Sequence, residues 1–194
     1  MKKIPKYCWL NPKLIAKDTK KYGFGVFAGE NIKKGQVIYI LNGERVDCMD
    51  LVKRVNSDQE NIDDPFQIGK RTYIDLNDTS RTFNHSCGPN AGIRKNSELF
   101  ALIDIKNGEE ITYDYSLTIA PTEWKMKCNC GAKNCRKVLG DILSVPEKRR
   151  EEYSKSGAIQ KYMKLLLKNI KNGTYEMPKY ELLALEKLKK TNNL

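Results

Sequence analysis

Three of the six cysteines, Cys128, Cys130 and Cys135, lie close together in a Cys-x-Cys-x4-Cys pattern. Clustered cysteines in a chain without an export signal are more often metal ligands than disulfide partners. Three thiolates need one further ligand to complete a closed tetrahedral zinc site. Because the chain has a single histidine, a histidine-rich metal site is excluded. The pattern therefore indicates a zinc site built mainly from cysteines.

Two other segments combine turn-forming residues with reactive side chains. Residues 81–90 read RTFNHSCGPN and contain the only histidine, His85. Residues 103–115 read IDIKNGEEITYDY and end in two tyrosines, Tyr113 and Tyr115. On a strand, residues two apart point to one face, so both tyrosine rings are predicted to lie together with Asp114 pointing away.

The elements that must position these side chains are short strands. Residues 22–116 alternate β-branched or aromatic runs with turn signals, which is typical of a mostly β fold. Residues 44–63 are polar, with apolar residues at the spacing of one helical face. Strands are predicted at 24–28, 36–41, 71–76, 91–95, 98–103 and 110–115.

The pattern changes after a loop-rich segment at 117–137. A helical stretch is predicted from Pro146 to Ile170, weakened at Ser156-Gly157 and stopped by Asn172-Gly173. A second helix is predicted to begin at Pro178, with three leucines on one face. The leucines are Leu182, Leu185 and Leu188.

The charge distribution limits the class of protein. The formal net charge is +11, and the last 49 residues carry 12 basic and 6 acidic residues. A basic surface favours polyanionic or acidic partners. No apolar run of about 18 residues predicts a membrane span, and the first residues do not resemble a secretory signal.

Taken together, four segments resemble the signature of SET-domain protein lysine methyltransferases. They are the glycine segment KYGFGVFA at 21–28, NHSCGPN at 84–90, the 103–115 segment, and CNCGAKNCR at 128–136, which is similar to the post-SET zinc segment of that family. The resemblance implies a SET-domain β-fold with a knot-like crossing at 14–116. A post-SET segment at 117–145 and a basic helical extension at 146–194 complete the predicted organisation.

The resemblance implies that the methyl donor is S-adenosylmethionine. The glycines would let the backbone approach the donor, while the Asn84 amide and the His85 backbone would contact it. The residues expected to bind the donor are Tyr22, Gly23, Phe24, Gly25, Arg81, Phe83, Asn84, His85 and Tyr115.

Catalytic roles follow from the same resemblance. Tyr115 matches the catalytic tyrosine, and Tyr113 matches the position that limits how many methyl groups are added, so mainly monomethylation is expected. The implied zinc ligands are Cys87, Cys128, Cys130 and Cys135. One departure concerns the lysine channel: Thr72 replaces a family tyrosine, and Tyr73 lies beside it.

Two other interpretations stay open from the sequence. The first is an inactive SET-like domain that serves as a zinc-stabilised binding module. The second is a nucleic-acid-binding protein that uses its basic C-terminal helices. The family interpretation implies a protein substrate with a target lysine, such as a histone, and reduced zinc thiolates favour an intracellular location, in cytoplasm or nucleus.

Overall fold

The structure, a computed structural model, describes residues 13–21, 23–57 and 65–176. Two features of the predicted organisation lie outside the described residues. They are Tyr22 and the second C-terminal helix with its three leucines.

The described residues contain twelve short strands and four α-helices. The strands are β1 (Leu14–Asp18), β2 (Phe24–Ala28), β3 (Val37–Ile40), β4 (Gly43–Asp47), β5 (Phe66–Gln67), β6 (Thr72–Leu76), β7 (Asn84–His85), β8 (Ala91–Arg94), β9 (Glu98–Ala101), β10 (Thr112–Tyr113), β11 (Met126–Lys127) and β12 (Val138–Leu139). The helices are α1 (Cys48–Asn56), α2 (Asp78–Arg81), α3 (Glu147–Lys155) and α4 (Lys161–Lys171), with 3₁₀ helices at Tyr115–Thr118 and Ile142–Ser144.

The strands form several small sheets rather than one large one. β1 and β2 form an antiparallel hairpin. β9 lies between β3 and β8, and β6 lies between β4 and β5, all in antiparallel pairs. β7 and β10 pair in parallel, and β11 pairs with β12 in the cysteine-rich segment. The mostly β prediction is therefore confirmed.

Alternation along the strands builds the main core. In β6, Ile74 and Leu76 are buried in the core, whereas Tyr73 and Asp75 point to the opposite face. Tyr73 thus lies on the face of β6 where Asp75 meets Arg54 of α1. The core of buried apolar side chains continues through β2, β3, β8 and β9, and it includes Phe83 and Tyr113.

The C-terminal helices pack against the β-rich part of the chain. A second core joins Phe100 of β9 to Ala158, Met163 and Leu166 of the α3–α4 region. Gly92 of β8 makes this approach possible, because a Cβ atom there would lie 2.6 Å from the Cβ atom of Ala158. The Gln160 side chain donates to the Asn96 carbonyl at 2.6 Å and to the Gln67 carbonyl at 3.1 Å.

Most predicted elements are confirmed within one or two residues. The helix predicted from Pro146 to Ile170 breaks where glycine was expected to weaken it, since Gly157 has a φ of 80°. The strand predicted at 110–115 is wrong in extent, because β10 contains only Thr112 and Tyr113. Asp114 then caps a 3₁₀ helix by accepting a hydrogen bond from the Ser116 N–H. Among the described residues, none of the helices has the length and apolar character needed to cross a membrane.

Candidate functional site

Two sequence motifs meet at the parallel pair of β7 and β10. Asn84 is opposite Thr112, and His85 is opposite Tyr113. The Ser86 N–H extends the pairing by donating to the Tyr113 carbonyl at 3.2 Å. Parallel pairing of two such short strands requires the chain to return from a distance. The fold thus brings the NHSC segment beside the tyrosine segment.

The glycine segment joins the same place through Asn84. The Asn84 side-chain amide donates to the Phe24 carbonyl at 3.1 Å and to the Glu110 carboxylate at 2.8 Å. Gly25 lies against both groups: a Cβ atom at this position would lie 2.7 Å from Asn84 Nδ2 and closer still to the Glu110 carboxylate. Three separate motifs therefore converge on one amide, and Gly25 is needed because a larger residue would collide with it.

Glu110 is the residue that the sequence analysis missed. It lies in the 103–115 segment, and the sequence pattern predicts no role for it. Its half-buried carboxylate fixes the orientation of the Asn84 side chain. Because a carboxylate can only accept hydrogen bonds, the NH₂ group of Asn84 faces Glu110, and the Asn84 Oδ1 atom points away from it. The only sequence signal for this role is the pair of acidic residues, Glu109 and Glu110, at the start of a predicted strand.

The two tyrosines lie together, although not for the predicted reason. Their ring centroids are 4.9 Å apart, yet Tyr113 ends β10 and Tyr115 begins the 3₁₀ helix. Tyr113 is buried, and Tyr115 is half-buried with its hydroxyl donating to the Phe83 carbonyl at 2.7 Å. Burial raises the pKa of Tyr113 well above its usual value, with the neighbouring Tyr115 adding to the effect. The Tyr113 phenol therefore stays protonated and is available as a hydrogen-bond donor.

The His85 ring packs against the Tyr115 ring. Their ring centroids are 5.4 Å apart, and the Tyr115 N–H donates to His85 Nδ1 at 3.2 Å. Burial lowers the pKa of His85 to about 4, against the opposing effect of the Asp114 carboxylate. The imidazole is neutral near pH 7.

The four cysteines of the predicted metal site form one cluster. The Sγ atoms of Cys87 and Cys135 lie 3.9 Å and 3.7 Å from Cys128 Sγ, and the Cys87 N–H points to Cys130 Sγ at 3.4 Å. Tetrahedral ligation with Zn–S bonds of about 2.3 Å requires sulfur atoms about 3.8 Å apart. The Cys87–Cys128 and Cys128–Cys135 distances are close to this spacing, so the cysteine cluster is compatible with a zinc segment.

The pKa values of the Cys128 and Cys130 thiols shift in opposite directions. Burial raises the pKa of Cys128 to about 12. Burial opposes ionisation of Cys130 as well, but the backbone N–H groups of Cys87 and Ala132 and the neighbouring thiols outweigh it and lower the pKa to about 6. Neighbouring thiolates repel one another, and a bound cation would stabilise them. The ligand atoms of His85, Cys87, Cys128 and Cys130 all lie within 4.8 Å of one another, which gives an alternative combination with His85 in place of Cys135.

The cysteine-rich segment is held against the tyrosine segment by Arg136. Its guanidinium donates twice to the Asp114 carboxylate, at 2.6 Å each, and once to Ser116 Oγ at 3.0 Å. The Arg136 N–H points to Cys87 Sγ at 3.4 Å. From α3, the Arg149 guanidinium donates to the Cys87 carbonyl at 2.9 Å. The cluster is therefore tied both to the residue beside Tyr115 and to the C-terminal helices.

The remaining predicted donor-binding residues differ in exposure and in their contacts. Gly23 is exposed with a φ of 85°, and Phe83 is buried with only its carbonyl directed at Tyr115. The Arg81 guanidinium contacts Asp75 and the Leu76 carbonyl. Asp75 is also bound by Arg54, which contacts Glu44 as well. Arg81 thus belongs to a charged network on the α1 side of β6.

Comparison with known proteins gives one matching family model. The SET domain model matches residues 23–116. Among curated proteins, the histone-lysine N-methyltransferase ASHH3 of Arabidopsis thaliana is 32% identical over 147 residues, which are 69% of this chain and 40% of that protein. The variant-silencing SET domain-containing protein of Plasmodium falciparum is 36% identical over 139 residues, 63% of this chain and 5% of that protein.

Solved structures show the same fold. The methyltransferase domain of the human histone-lysine N-methyltransferase SETMAR has a TM-score of 0.53 at 27% identity, covering 66% of this chain and 58% of that one. KRYPTONITE, in complex with mCHH DNA, an H3(1-15) peptide and SAH, has a TM-score of 0.51 at 28% identity, covering 66% of this chain and 29% of that one. The matches thus span between 5% and 58% of the length of these relatives.

Proposed function

We propose that this chain, which belongs to the SET-domain family over residues 23–116, transfers a methyl group from S-adenosylmethionine to the side-chain amine of lysine in a protein. The convergence of the glycine, NHSC and tyrosine segments on Asn84 and Tyr115 carries the proposal.

The donor site is proposed to lie where Asn84 meets the glycine segment. Gly23 to Gly25, Asn84 and the His85 backbone would contact the donor, together with Tyr22, Arg81, Phe83 and Tyr115. S-adenosylmethionine supplies the methyl group when it is bound. The Glu110 carboxylate prepares Asn84 for this contact by holding its amide NH₂. SAH, the product left after methyl transfer, is present in the KRYPTONITE structure, which supports a donor site in the same fold.

The two tyrosines are proposed to position the lysine amine. The neutral amine nitrogen attacks the methyl carbon in line, and the bonding electron pair of the breaking C–S bond stays on sulfur. The ammonium must first release its proton to water, and an aromatic channel lowers its pKa by desolvation. Tyr115 would orient the nitrogen, so catalysis rests on alignment. The protonated Tyr113 hydroxyl would hold a water molecule in the space that further methyl groups on the lysine amine would need, which favours monomethylation.

A zinc ion held by Cys87, Cys128, Cys130 and Cys135 is proposed to be structural. A closed site with four thiolates has no open position for catalysis. Zinc there would cross-link the cysteine-rich segment to the NHSC segment. Replacement of Cys87 by serine should remove zinc and methyl transfer together. A Cys87→Ser chain that keeps one zinc ion would contradict this ligand set.

The proposed substrate is a lysine in a histone or another basic protein, and the proposed location is intracellular, in cytoplasm or nucleus. Relatives carry the name histone-lysine N-methyltransferase, and a KRYPTONITE structure contains an H3(1-15) peptide. The proposed organisation keeps a SET domain at 14–116, a post-SET zinc segment at 117–145 and a helical extension at 146–194.

The deciding experiment measures transfer of an isotope-labelled methyl group into histones and into a mixed cell lysate, with mass spectrometry of the labelled lysines. Tyr115→Phe is the matched control, because it removes one hydroxyl and keeps the ring. Label that appears with the unmodified chain and disappears with the control supports the proposal. A chain that does not bind the donor at all contradicts it and favours the inactive binding module.

A further inference from the structure

His85 connects the cysteine cluster to the backbone of Tyr115. On one side of the ring, Nε2 lies 3.3 Å from Cys87 Sγ. On the other side, Nδ1 accepts a hydrogen bond from the Tyr115 N–H at 3.2 Å. The side chain is 5% exposed, so solvent has little access to either nitrogen. One imidazole therefore touches both a predicted metal ligand and the proposed catalytic tyrosine.

The hydrogen bond from Tyr115 bears on the position of the imidazole proton. A neutral imidazole has one N–H group and one accepting nitrogen. Because the Tyr115 N–H is directed at Nδ1, this contact favours the tautomer with the proton on Nε2, the nitrogen that faces Cys87. That nitrogen has no lone pair to offer a metal, and a thiolate at 3.3 Å is a suitable acceptor for its N–H.

Two combinations of four ligands come into question, and they differ in His85 and Cys135. One contains His85, Cys87, Cys128 and Cys130. The other replaces His85 with Cys135, whose Sγ is 3.7 Å from Cys128 Sγ. Only the second is compatible with a proton on Nε2.

We propose that His85 is a positioning residue that bridges the metal site and the active site, donating from Nε2 to the Cys87 thiolate and accepting at Nδ1 from Tyr115. This inference rests on the structural metal site of the proposed function. Cys87 Sγ then accepts from two N–H groups, those of His85 and the Arg136 backbone. Hydrogen bonds from outside the ligand set orient metal ligands and tune metal affinity.

The bridge gives the metal a route to influence catalysis without touching substrate. Movement of Cys87 on metal loss would displace the His85 ring, and the ring holds the N–H of Tyr115. The NHSC sequence brings the two residues close together, because His85 ends the short strand β7 and Cys87 follows it by two residues.

X-ray absorption at the zinc edge tests the ligand assignment on the full zinc-loaded chain. We expect one shell of four sulfur atoms at about 2.3 Å, whereas a histidine ligand would add nitrogen at about 2.0–2.1 Å. A nitrogen shell that disappears on His85 replacement would overturn the proposal. It would mean that the proton lies on Nδ1, facing the Tyr113 backbone that also hydrogen-bonds the ring.

Two substitutions separate the two ends of the bridge. The shorter amide introduced by His85→Asn reaches only as far as Nδ1 does, so it keeps an acceptor for Tyr115 and removes the donor to Cys87. The longer amide introduced by His85→Gln keeps a donor near Cys87. We expect zinc affinity, measured by competition with a chelator, to fall about 10- to 100-fold for His85→Asn and to stay near that of the unmodified chain for His85→Gln.

The zinc measurements do not depend on methyl transfer, so failure of the proposed activity and failure of the bridge are distinguishable. Cys135→Ser is the matched ligand control and should lose zinc. Equal zinc affinity in His85→Asn and the unmodified chain would overturn the bridge. A Cys135→Ser chain with unchanged zinc affinity would overturn it as well.

Discussion

Asp114 and Arg136 form a buried ion pair in which both carboxylate oxygens accept from the guanidinium at 2.6 Å. The Asp114 side chain has no exposed surface and that of Arg136 is 13% exposed. Asp114 separates the two tyrosines, and Arg136 directly follows the last cysteine of the cluster. The pair therefore joins the cysteine-rich segment to the proposed catalytic residues by a contact that does not involve the metal.

Removal of one partner of this pair should strongly destabilise the protein. Arg136→Met leaves the Asp114 carboxylate buried without its cation, which costs about 3–5 kcal/mol in comparable sites. Denaturant titration of the zinc-loaded chain measures this loss. Lys53→Met, which breaks the exposed pair with Asp50, should have little effect. Equal stability of both variants would show that the buried pair contributes no more than a surface pair.

Replacement of the Tyr115 hydroxyl should abolish most methyl transfer. Tyr115→Phe keeps the ring packed on Tyr113 and His85, but it removes the group proposed to orient the amine. We expect the rate to fall at least about 100-fold, with donor binding retained. Single-turnover methylation together with calorimetric titration of the donor separates the two quantities. A rate that stays within a few-fold of the original would exclude Tyr115 as the catalytic tyrosine.

Tyr113→Phe should change the product more than the rate. If the Tyr113 hydroxyl holds a water that limits space, its removal should increase the dimethyl and trimethyl products. Mass spectrometry of the modified lysine gives the ratio directly. An unchanged monomethyl product in Tyr113→Phe would assign product control to another residue.

Addition of one methyl group at Gly25 should weaken donor binding. In Gly25→Ala, the new Cβ would lie 2.7 Å from Asn84 Nδ2, so the amide must leave its hydrogen bonds to Phe24 and Glu110. We expect the donor dissociation constant to rise about tenfold or more, which corresponds to about 1.4 kcal/mol. Gly69→Ala is the control, because its Cβ would meet other atoms only at 3.6 Å or beyond. Similar donor affinity in both variants would contradict the proposed site.

The rate of methyl transfer should rise with pH between about 7 and about 9.5, because the reactive form of lysine is the neutral amine. Its fraction grows about tenfold per pH unit below its pKa of about 10.4. Tyr113 does not contribute to this rise, because burial holds its pKa well above the usual value and the phenol stays protonated. Single-turnover rates with saturating donor give the profile. A flat profile would mean that a step other than amine deprotonation limits the reaction.

The contact between Gly92 and Ala158 should make the C-terminal helices part of the stable fold. Gly92→Ala forces two Cβ atoms to 2.6 Å, and overpacking of this kind costs about 1–3 kcal/mol. Thermal unfolding measures the loss, and Ala158→Gly in the same chain should restore part of it. Undiminished stability in Gly92→Ala would indicate that the helices can move away from β8 at little cost.

Local patterns were sufficient to predict most of the elements and the chemistry of the site. The strands β2, β3, β6, β8 and β9 and the break at Gly157 depend on neighbouring residues, and each is confirmed. The segments with unusual residue combinations, NHSC and Cys-x-Cys-x4-Cys, indicated where reactive groups would gather.

Tertiary structure decided which groups touch, because hydrogen bonds between distant segments leave no periodic signal in the sequence. Tyr115 lies beside Tyr113 through a 3₁₀ turn capped by Asp114, not through the predicted strand. Glu110 orients Asn84 across 26 residues, and Arg136 reaches Asp114 across 22 residues. The sequence by itself determined the residue types available for methyl transfer and metal binding. Packing of the separate segments determined their partners, since a buried polar group takes whichever complementary group the fold brings within reach.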